Sequence, residues 1–568
     1  MDILKRYISA GNAAWWLLAA MALMFLPVLG ATEFFSKGEP REAIVAVTML
    51  DSGNWILPVS NGDVIPYKPP FLAWCVAAVS WLMGGTVTEW TARFPSAVAL
   101  MGMVMICFRF WRRGMGTARA LCASVIAFTF FEVYRAAVAC RVDMLLTFFI
   151  VGAVIVLYRW GERGWRGLPV WGVLLMSGAV LSKGPVGIVL PCAVVWTAWT
   201  LEGRNAWSGL WRLALAAVCA LVVPALWYVA AWRQGGDEFI ELVKEENIGR
   251  FTGTMSYESH VNPWYYNLIS LIGGCAPYTL AALFGAVAAM ARRGRGHIGR
   301  LAARFRALSP ERRLGIVAAV VILVFYTIPK SKRGVYLLPM YPFIGLMMAD
   351  YAWWMARNAV RWLRGYTVGL AVTACVAFAL FVALQCGLAD VVGKLHTDAF
   401  MGLGMWPGLW GWVAVIVSVA AAVWVLRHKS SSIQGRAASM IAMTYALYLA
   451  FGAAYQPGSV RLLTDRALAD QLESMAPGAV YYGHVETPMM RFFTANFYTR
   501  DRIKPFEDSL PSTGLLLCGT RDAAKLMDRH RGEYMFVEMW ESPRRSCDVR
   551  QPIKIYSFKK IENRQIPI

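Results

Sequence analysis

The chain has 568 residues, of which 58% are hydrophobic and only 16% charged, and its mean hydropathy is +0.48. Ordinary soluble domains carry about a quarter charged residues, so a soluble multidomain chain is excluded. The formal net charge of +21 would suggest nucleic acid in a soluble protein, but no basic-aromatic module accompanies it here.

The apolar residues gather into runs of about 18–25, the length that crosses a hydrocarbon core. Taken in chain order, about thirteen such runs are read as spans. They fall at 13–31, 94–110, 118–136, 142–158, 168–182, 185–201, 212–232, 263–290, 314–329, 335–355, 366–386, 407–426 and 438–455. The first is expected to be a retained span and not a cleaved leader, because no small-residue cleavage site follows it. Basic segments at 111–119, 159–167, 291–313, 356–365 and 427–437 lie between alternate spans, as does Lys5-Arg6 ahead of the first. The positive-inside rule then puts the N-terminus in the cytoplasm and, with an odd span count, the C-terminus outside. The expected architecture is an α-helical polytopic membrane domain over 1–456 and a small α/β domain outside the membrane over 457–568. In that second part, "AVYYG", "GLLLCG", "EYMFVEMW" and "IKIYSF" read as strands, and "RLLTDRALADQLESM" and "TRDAAKLMDRH" as helices. The eleven cysteines form no CxxC pair or zinc spacing, and only Cys518 and Cys547, in the polar tail, leave a disulfide open.

The first outer loop, 32–93, is the most informative stretch. "GEPREAIVAVTMLDSG" predicts a short helix with Pro40 in its first turn and Gly53 at its end. Ala43, Ile44, Val47 and Leu50 share one face of it, and it is too short to span, so it should lie in the interface. A second short apolar helix over 71–83 follows "VIPYKPP". Pro69 and Pro70 stiffen the backbone after Lys68 and remove two N–H donors, so the lysine is held on an extended mount.

By this topology, ionisable residues collect at span ends on one face: Glu39, Arg41, Lys68, Asp143, Lys183, Arg250, His260, Lys330, Lys332 and Arg333. Each alone reads equally well as an interfacial anchor, since span ends tolerate charge and long basic side chains snorkel. Together they suit an anionic headgroup, with a divalent metal at Glu39 and Asp143 left open. A transporter would instead place paired ion-binding residues at mid-membrane in broken helices, with internal repeats, and neither is evident.

The sequence resembles the bacterial aminoarabinose transferases, which belong with the protein O-mannosyltransferases among the GT-C glycosyltransferases. The resemblance rests on "GEPREAIVAVTMLDSGNWILPVSNGDVIPYKPPFLAW", "EWTARFPSA", "ACRVDMLLTFF", "LSKGPVG", "GRFTGTMSYESHVNPWYY", "SKRGVYLLPMYP" and "FFTANFYTRDRI", in that order. It implies a GT-C fold and an enzyme that takes a sugar from undecaprenyl (polyprenyl) phosphate at the periplasmic side of the bacterial inner membrane. In that reading Lys68, Arg250, Lys330, Lys332, Arg333 and Tyr336 bind the donor phosphate. Glu39 and Asp143 are the catalytic acidic positions, and Arg41, Tyr67, Lys183 and His260 line the pocket. The aspartate that precedes the family's glutamate is Gly38 here. A neutral hydroxyl nucleophile needs a base, whereas a phosphate is already an anion. The expected acceptor is therefore a lipid A-like glycolipid, with inversion at the anomeric carbon and a monomeric enzyme. Transfer to a protein hydroxyl, or flipping of a lipid-linked sugar, are the alternatives.

Overall fold

The computed structural model describes residues 11–62, 64–66, 68–249, 261–290, 305–392, 397–487 and 489–561. Every apolar run has a helical counterpart, but the runs differ in kind. Six helices are long and apolar enough to cross a membrane: Glu89–Met115, Val142–Glu162, Ala206–Asn247, Val360–Gln385, Gly408–Arg427 and Ile433–Val460. Two further runs are bent pairs, Thr117–Phe128 with Phe131–Ala137 at 70° and Tyr266–Gly274 with Tyr278–Phe284 at 99°. The remaining five expected spans are shorter or more polar helices, such as Val170–Lys183 and Val186–Leu201. By length and composition alone, six helices, or eight with each bent pair taken as one span, are long and apolar enough to cross a membrane among the described residues.

Both short helices of the first loop form. Pro40–Ser52 starts on its proline and stops where Gly53 turns left-handed at φ 71°. Its apolar residues are buried more completely than an interfacial helix requires, and Leu50, expected on the same face, is only half-buried. The cause is cover from two sides, by Phe71–Leu82 and by the Phe493–Tyr498 helix of the C-terminal region.

That region builds a five-stranded sheet from β1 (Tyr481–His484), β2 (Ile503–Pro505), β3 (Thr513–Gly519), β4 (Tyr534–Arg545) and β5 (Pro552–Lys560), in the order β2-β1-β3-β5-β4. The β1–β2 and β1–β3 pairs are parallel, and β5 runs antiparallel to both of its neighbours. Each strand read from an apolar run is present; β2, only three residues long, had no such run to announce it. Cys518 and Cys547 are free thiols, Cys518 inside β3 and Cys547 donating to Thr494 Oγ1 at 3.3 Å.

The sheet domain is docked on the first loop by polar contacts. Tyr498 Oη donates to Glu89 Oε1 at 2.7 Å and accepts from the Phe34 N–H at 2.9 Å. The Asn61 N–H donates to Asp501 Oδ1 at 2.6 Å, and Asn496 Nδ2 donates to Asn61 Oδ1 at 2.8 Å. The loop is thus clamped between the helical body and the sheet.

Candidate functional site

Two charged networks meet where the first loop joins the helical body. The deeper one centres on Glu39. Arg93, inside Glu89–Met115, donates from Nε to Glu39 Oε1 at 2.8 Å and from Nη2 to Oε2 at 3.3 Å. The Cys140 N–H donates to the same Oε1 at 2.9 Å. Arg93 Nη1 is spent on the carbonyls of Leu29 at 2.8 Å and Thr32 at 2.7 Å. Arg93 and Glu39 are 2% and 4% exposed. A buried ion pair with its remaining polar atoms bonded is the arrangement that offsets the cost of desolvating two charges.

The shallower network contains the lysines. Lys68 is ion-paired with Glu42, and Arg41 Nη2 lies 3.7 Å from the same carboxylate oxygen. Burial alone would push the Glu42 carboxyl up, but the Lys68 ammonium, with Arg41 and Arg141 behind it, holds it below the usual carboxylate range. Pro66, Lys68, Pro69 and Pro70 line a small cavity with Glu42, Val142 and Trp227. Trp227 donates from its indole to the Ile56 carbonyl at 3.0 Å and packs with Leu57, Leu181 and Phe239. Leu181 belongs to "LSKGPVG", so this apolar cluster brings the Lys68 loop and the Lys183 turn together.

Lys183 ends the Val170–Lys183 helix, and Gly184 takes φ 77° before Pro185. A side chain at 184 would be strained by that backbone and would strike Asn247. The turn aims Lys183 Nζ at Asp143 Oδ1, 2.5 Å away, and over the Tyr336 ring at 4.3 Å. Asp143 sits in the first turn of Val142–Glu162, two residues after Arg141. Tyr336 packs against Tyr326 with ring centres 5.6 Å apart, and its buried hydroxyl has no hydrogen-bond partner among the described residues. Lys68 and Asp143 lie within electrostatic reach of each other, so both lysine pairs belong to one site.

The other expected ligands are distributed differently. Lys332 is 5% exposed and donates to the carbonyls of Pro329 at 2.6 Å and Asn262 at 3.2 Å, which makes it a pin for its own loop. Lys330 is exposed and Arg333 half-buried on the same loop. Tyr67, Arg250 and His260 lie outside the described residues.

A shared divalent metal at Glu39 and Asp143 does not fit this donor set, because each carboxylate already carries a cationic side chain. Among the described residues, three metal-capable groups come within ligand spacing only at Asp465, Cys547 and Asp548 in the sheet domain. There the carboxylates are local caps: Ser546 Oγ and the Cys547 N–H donate to Asp465, and the Thr494 N–H and hydroxyl donate to Asp548.

The sequence reading did not single out Arg93, Glu42 or Arg141. Glu42 had a local signal, one turn after Glu39 on a helix whose lysine neighbour is 26 residues away. Arg93 had only its presence near the start of an apolar helix, where a cation without a local partner asks for a distant carboxylate.

Known proteins place this geometry in context. Residues 67–228 match the family described as Dolichyl-phosphate-mannose-protein mannosyltransferase. An uncharacterized protein of Aquifex aeolicus (strain VF5) is 25% identical over 59% of this chain and 62% of its own length. The Undecaprenyl phosphate-alpha-4-amino-4-deoxy-L-arabinose arabinosyl transferase of Shewanella sediminis (strain HAW-EB3) is 24% identical over 75% of this chain and 74% of its own. The protein of that name from Pectobacterium carotovorum subsp. carotovorum (strain PC1) is 28% identical over 59% and 58%. The chain thus spans less than two thirds of two of these three relatives. The fold matches the crystal structure of ArnT from Cupriavidus metallidurans bound to undecaprenyl phosphate, with TM-score 0.69, 20% identity and coverage of 96% of this chain and 98% of that one.

Proposed function

We propose that the chain belongs with the GT-C aminoarabinose transferases and moves a sugar from a polyprenyl phosphate to an anionic, lipid A-like glycolipid. The observation that carries this reading is the pair of lysine–carboxylate couples, Lys68–Glu42 and Lys183–Asp143, held beside each other on stiff Pro and Gly-Pro turns. An ammonium has three donors. One suffices for its carboxylate, so each lysine can also meet a phosphate oxygen without losing its partner. The relatives named for undecaprenyl phosphate-linked aminoarabinose support the donor class and the sugar.

In this reading Lys68 holds the donor phosphate, and Asp143 keeps Lys183 aimed at it. Arg333, Lys330 and the Tyr336 hydroxyl are the nearest further candidates on the 330–336 loop. An acceptor phosphate oxygen attacks the anomeric carbon from the face opposite the lipid phosphate. The new C–O bond forms as the old one breaks, and the polyprenyl phosphate leaves with the bonding electrons and an added negative charge. The lysines stabilise that charge as it develops, which is where such contacts accelerate a reaction. No proton has to be removed. Glu39 contributes by holding the 38–39 and 139–141 segments together, and no step runs through a metal. The site faces the periplasm, with the N-terminus in the cytoplasm, and the chain acts as a monomer.

The test is turnover by the purified full chain in detergent with radiolabelled undecaprenyl-phosphate aminoarabinose and lipid A. Transfer of label, lost in Lys68→Ala with the protein still monodisperse, is the expected result. Label that crosses a vesicle membrane without transfer would point instead to a transporter. Lipid mass spectrometry of a deletion strain should show one glycosyl mass missing, and polymyxin sensitivity should rise.

A further inference from the structure

The loop that carries Lys68 is pinned unevenly. Its outgoing arm is tied into the helical body. Asn54 Oδ1 accepts from the N–H groups of Ile56 and Leu57, both at 3.1 Å. The indoles of Trp74 and Trp227 donate to the Trp55 and Ile56 carbonyls at 2.7 and 3.0 Å. The returning arm has fewer groups to hold it. Pro66, Pro69 and Pro70 have no N–H, so three of the seven residues from Val64 to Pro70 give the backbone no donor. The arm therefore depends on what fixes its ends. One end is the Phe71–Leu82 helix, entered through Pro70. The other is the Ser60–Val64 bridge, closed by two backbone hydrogen bonds of 3.2 Å.

The tip beyond that bridge is buried against the sheet domain. Ser60 and Asn61 are 4% and 3% exposed. Asn61 and Gly62 take φ values of 55° and 93°, the left-handed region that these two residue types tolerate. The Asn61 N–H donates to Asp501, and Asn496 Nδ2 is shared between Asn61 Oδ1 at 2.8 Å and Asp501 Oδ1 at 2.9 Å. Asn496 Oδ1 accepts from the Ile503 N–H at 2.8 Å, which ties the contact to β2. A Cβ at 62 would lie 2.9 Å from the Pro505 ring at the end of the same strand. A buried polar network of this kind specifies one geometry, because moving the tip would leave several of its groups unpaired.

We propose that Asn61 is a positioning residue for Lys68, and that the sheet domain sets donor affinity by holding the tip of the lysine's loop. This rests on the reading of Lys68 as the donor-phosphate ligand. Asn61 touches no substrate. It fixes one end of a proline-rich arm whose restricted backbone has little freedom to absorb a shift at the tip, so the ammonium moves with it.

The test uses the full chain in detergent, with undecaprenyl phosphate binding and sugar transfer measured side by side. Asn61→Gly keeps the left-handed backbone and removes the amide. It should weaken undecaprenyl phosphate and raise the donor KM by about tenfold, as a misplaced binding group does. The kcat and the acceptor KM should stay within about threefold. Asp501→Gly, which removes the acceptor of the Asn61 N–H, should do the same, and Asp501→Asn, which keeps an oxygen there, should recover most of the affinity. In a Lys68→Ala background, Asn61→Gly should weaken binding by less than about a further twofold, because both changes remove one contact.

A loss that simply adds to that of Lys68→Ala would reduce the tip to a structural joint and overturn the proposal. Unchanged undecaprenyl phosphate affinity in monodisperse Asn61→Gly would overturn it too. If the variants do not fold, hydrogen exchange on the wild-type chain decides. Undecaprenyl phosphate should slow exchange at 60–68 and at 496–503 together, since coupling between two sites is reciprocal. Protection at the first segment alone would refute the coupling. A protein that binds undecaprenyl phosphate through Lys68 and Asn61 yet transfers no sugar sinks the transfer reading and leaves the coupling. Normal transfer with the donor KM unmoved in Asn61→Gly sinks the coupling alone.

Discussion

The two charged regions of the first loop look alike in composition and behave oppositely. Around Glu39, each oxygen and each guanidinium nitrogen has a partner, and solvent is excluded. Around Lys68 and Lys183, the lysine side chains keep 24% and 22% of their exposure. The closed network is a joint in the fold, and the more exposed one is where a ligand can still gain free energy. Bond count and exposure, not residue type, separate them.

That contrast can be broken most forcefully at the joint. Glu39→Ala strands the Arg93 guanidinium in the interior and should cost about 3–5 kcal/mol of stability, as removal of one partner of a buried pair does. Thermal unfolding in detergent should show the loss even without substrate, and Glu39→Gln, which keeps one acceptor, should lose less. Full stability in Glu39→Ala would move Glu39 out of the joint and back to the chemistry.

At the lysines the expected pattern is reversed. Lys68→Ala should lower kcat/KM by about 100-fold while the melting temperature stays within a few degrees. Asp143→Asn, which leaves Lys183 without its aiming charge, should cost about tenfold in activity through a higher donor KM. A large drop in melting temperature for either variant would erase the distinction between the networks.

The smaller effects fall in the sheet domain. Tyr498→Phe removes the hydrogen bonds to Glu89 and Phe34 and should cost about 1 kcal/mol, seen as earlier proteolysis of the sheet domain in the full chain. The same domain should soften as the pH rises. Burial, together with the neighbouring Asp465, pushes the Asp548 carboxyl up to about 7. Its contribution is full below the ordinary aspartate value of about 3.9 and disappears as the pH climbs through the raised one. His484 acts in the same direction. Burial would pull its imidazole down, but Glu507 and Glu486 hold it above the usual histidine value, so its share is full below about pH 6.5 and is lost on alkaline titration. Unfolding of the full chain should come at a lower temperature at pH 8 than at pH 5.

Local physics made much of this protein legible. Apolar runs anticipated the longer helices of the described membrane body, and Pro40 and Gly53 bounded the first short helix. Short apolar runs found four of the five strands. These are properties of neighbouring residues, and neighbours are what a sequence displays. The bends at 128–131 and 274–278 were not visible, because a run long enough to span gives no sign that packing will fold it back.

What a charge does was decided only in three dimensions. Glu39 and Asp143 looked equivalent, two carboxylates near span ends, until Arg93, 54 residues on, claimed the first and Lys183, 40 residues on, the second. Lys332 looked like a phosphate ligand until its ammonium turned onto backbone carbonyls. The sequence by itself determined a many-helix membrane body, its stiff turns and the set of charges on one face. The tertiary structure determined which charges are spent and which are available, because an ion pair depends on distance through space and desolvation on everything packed around it.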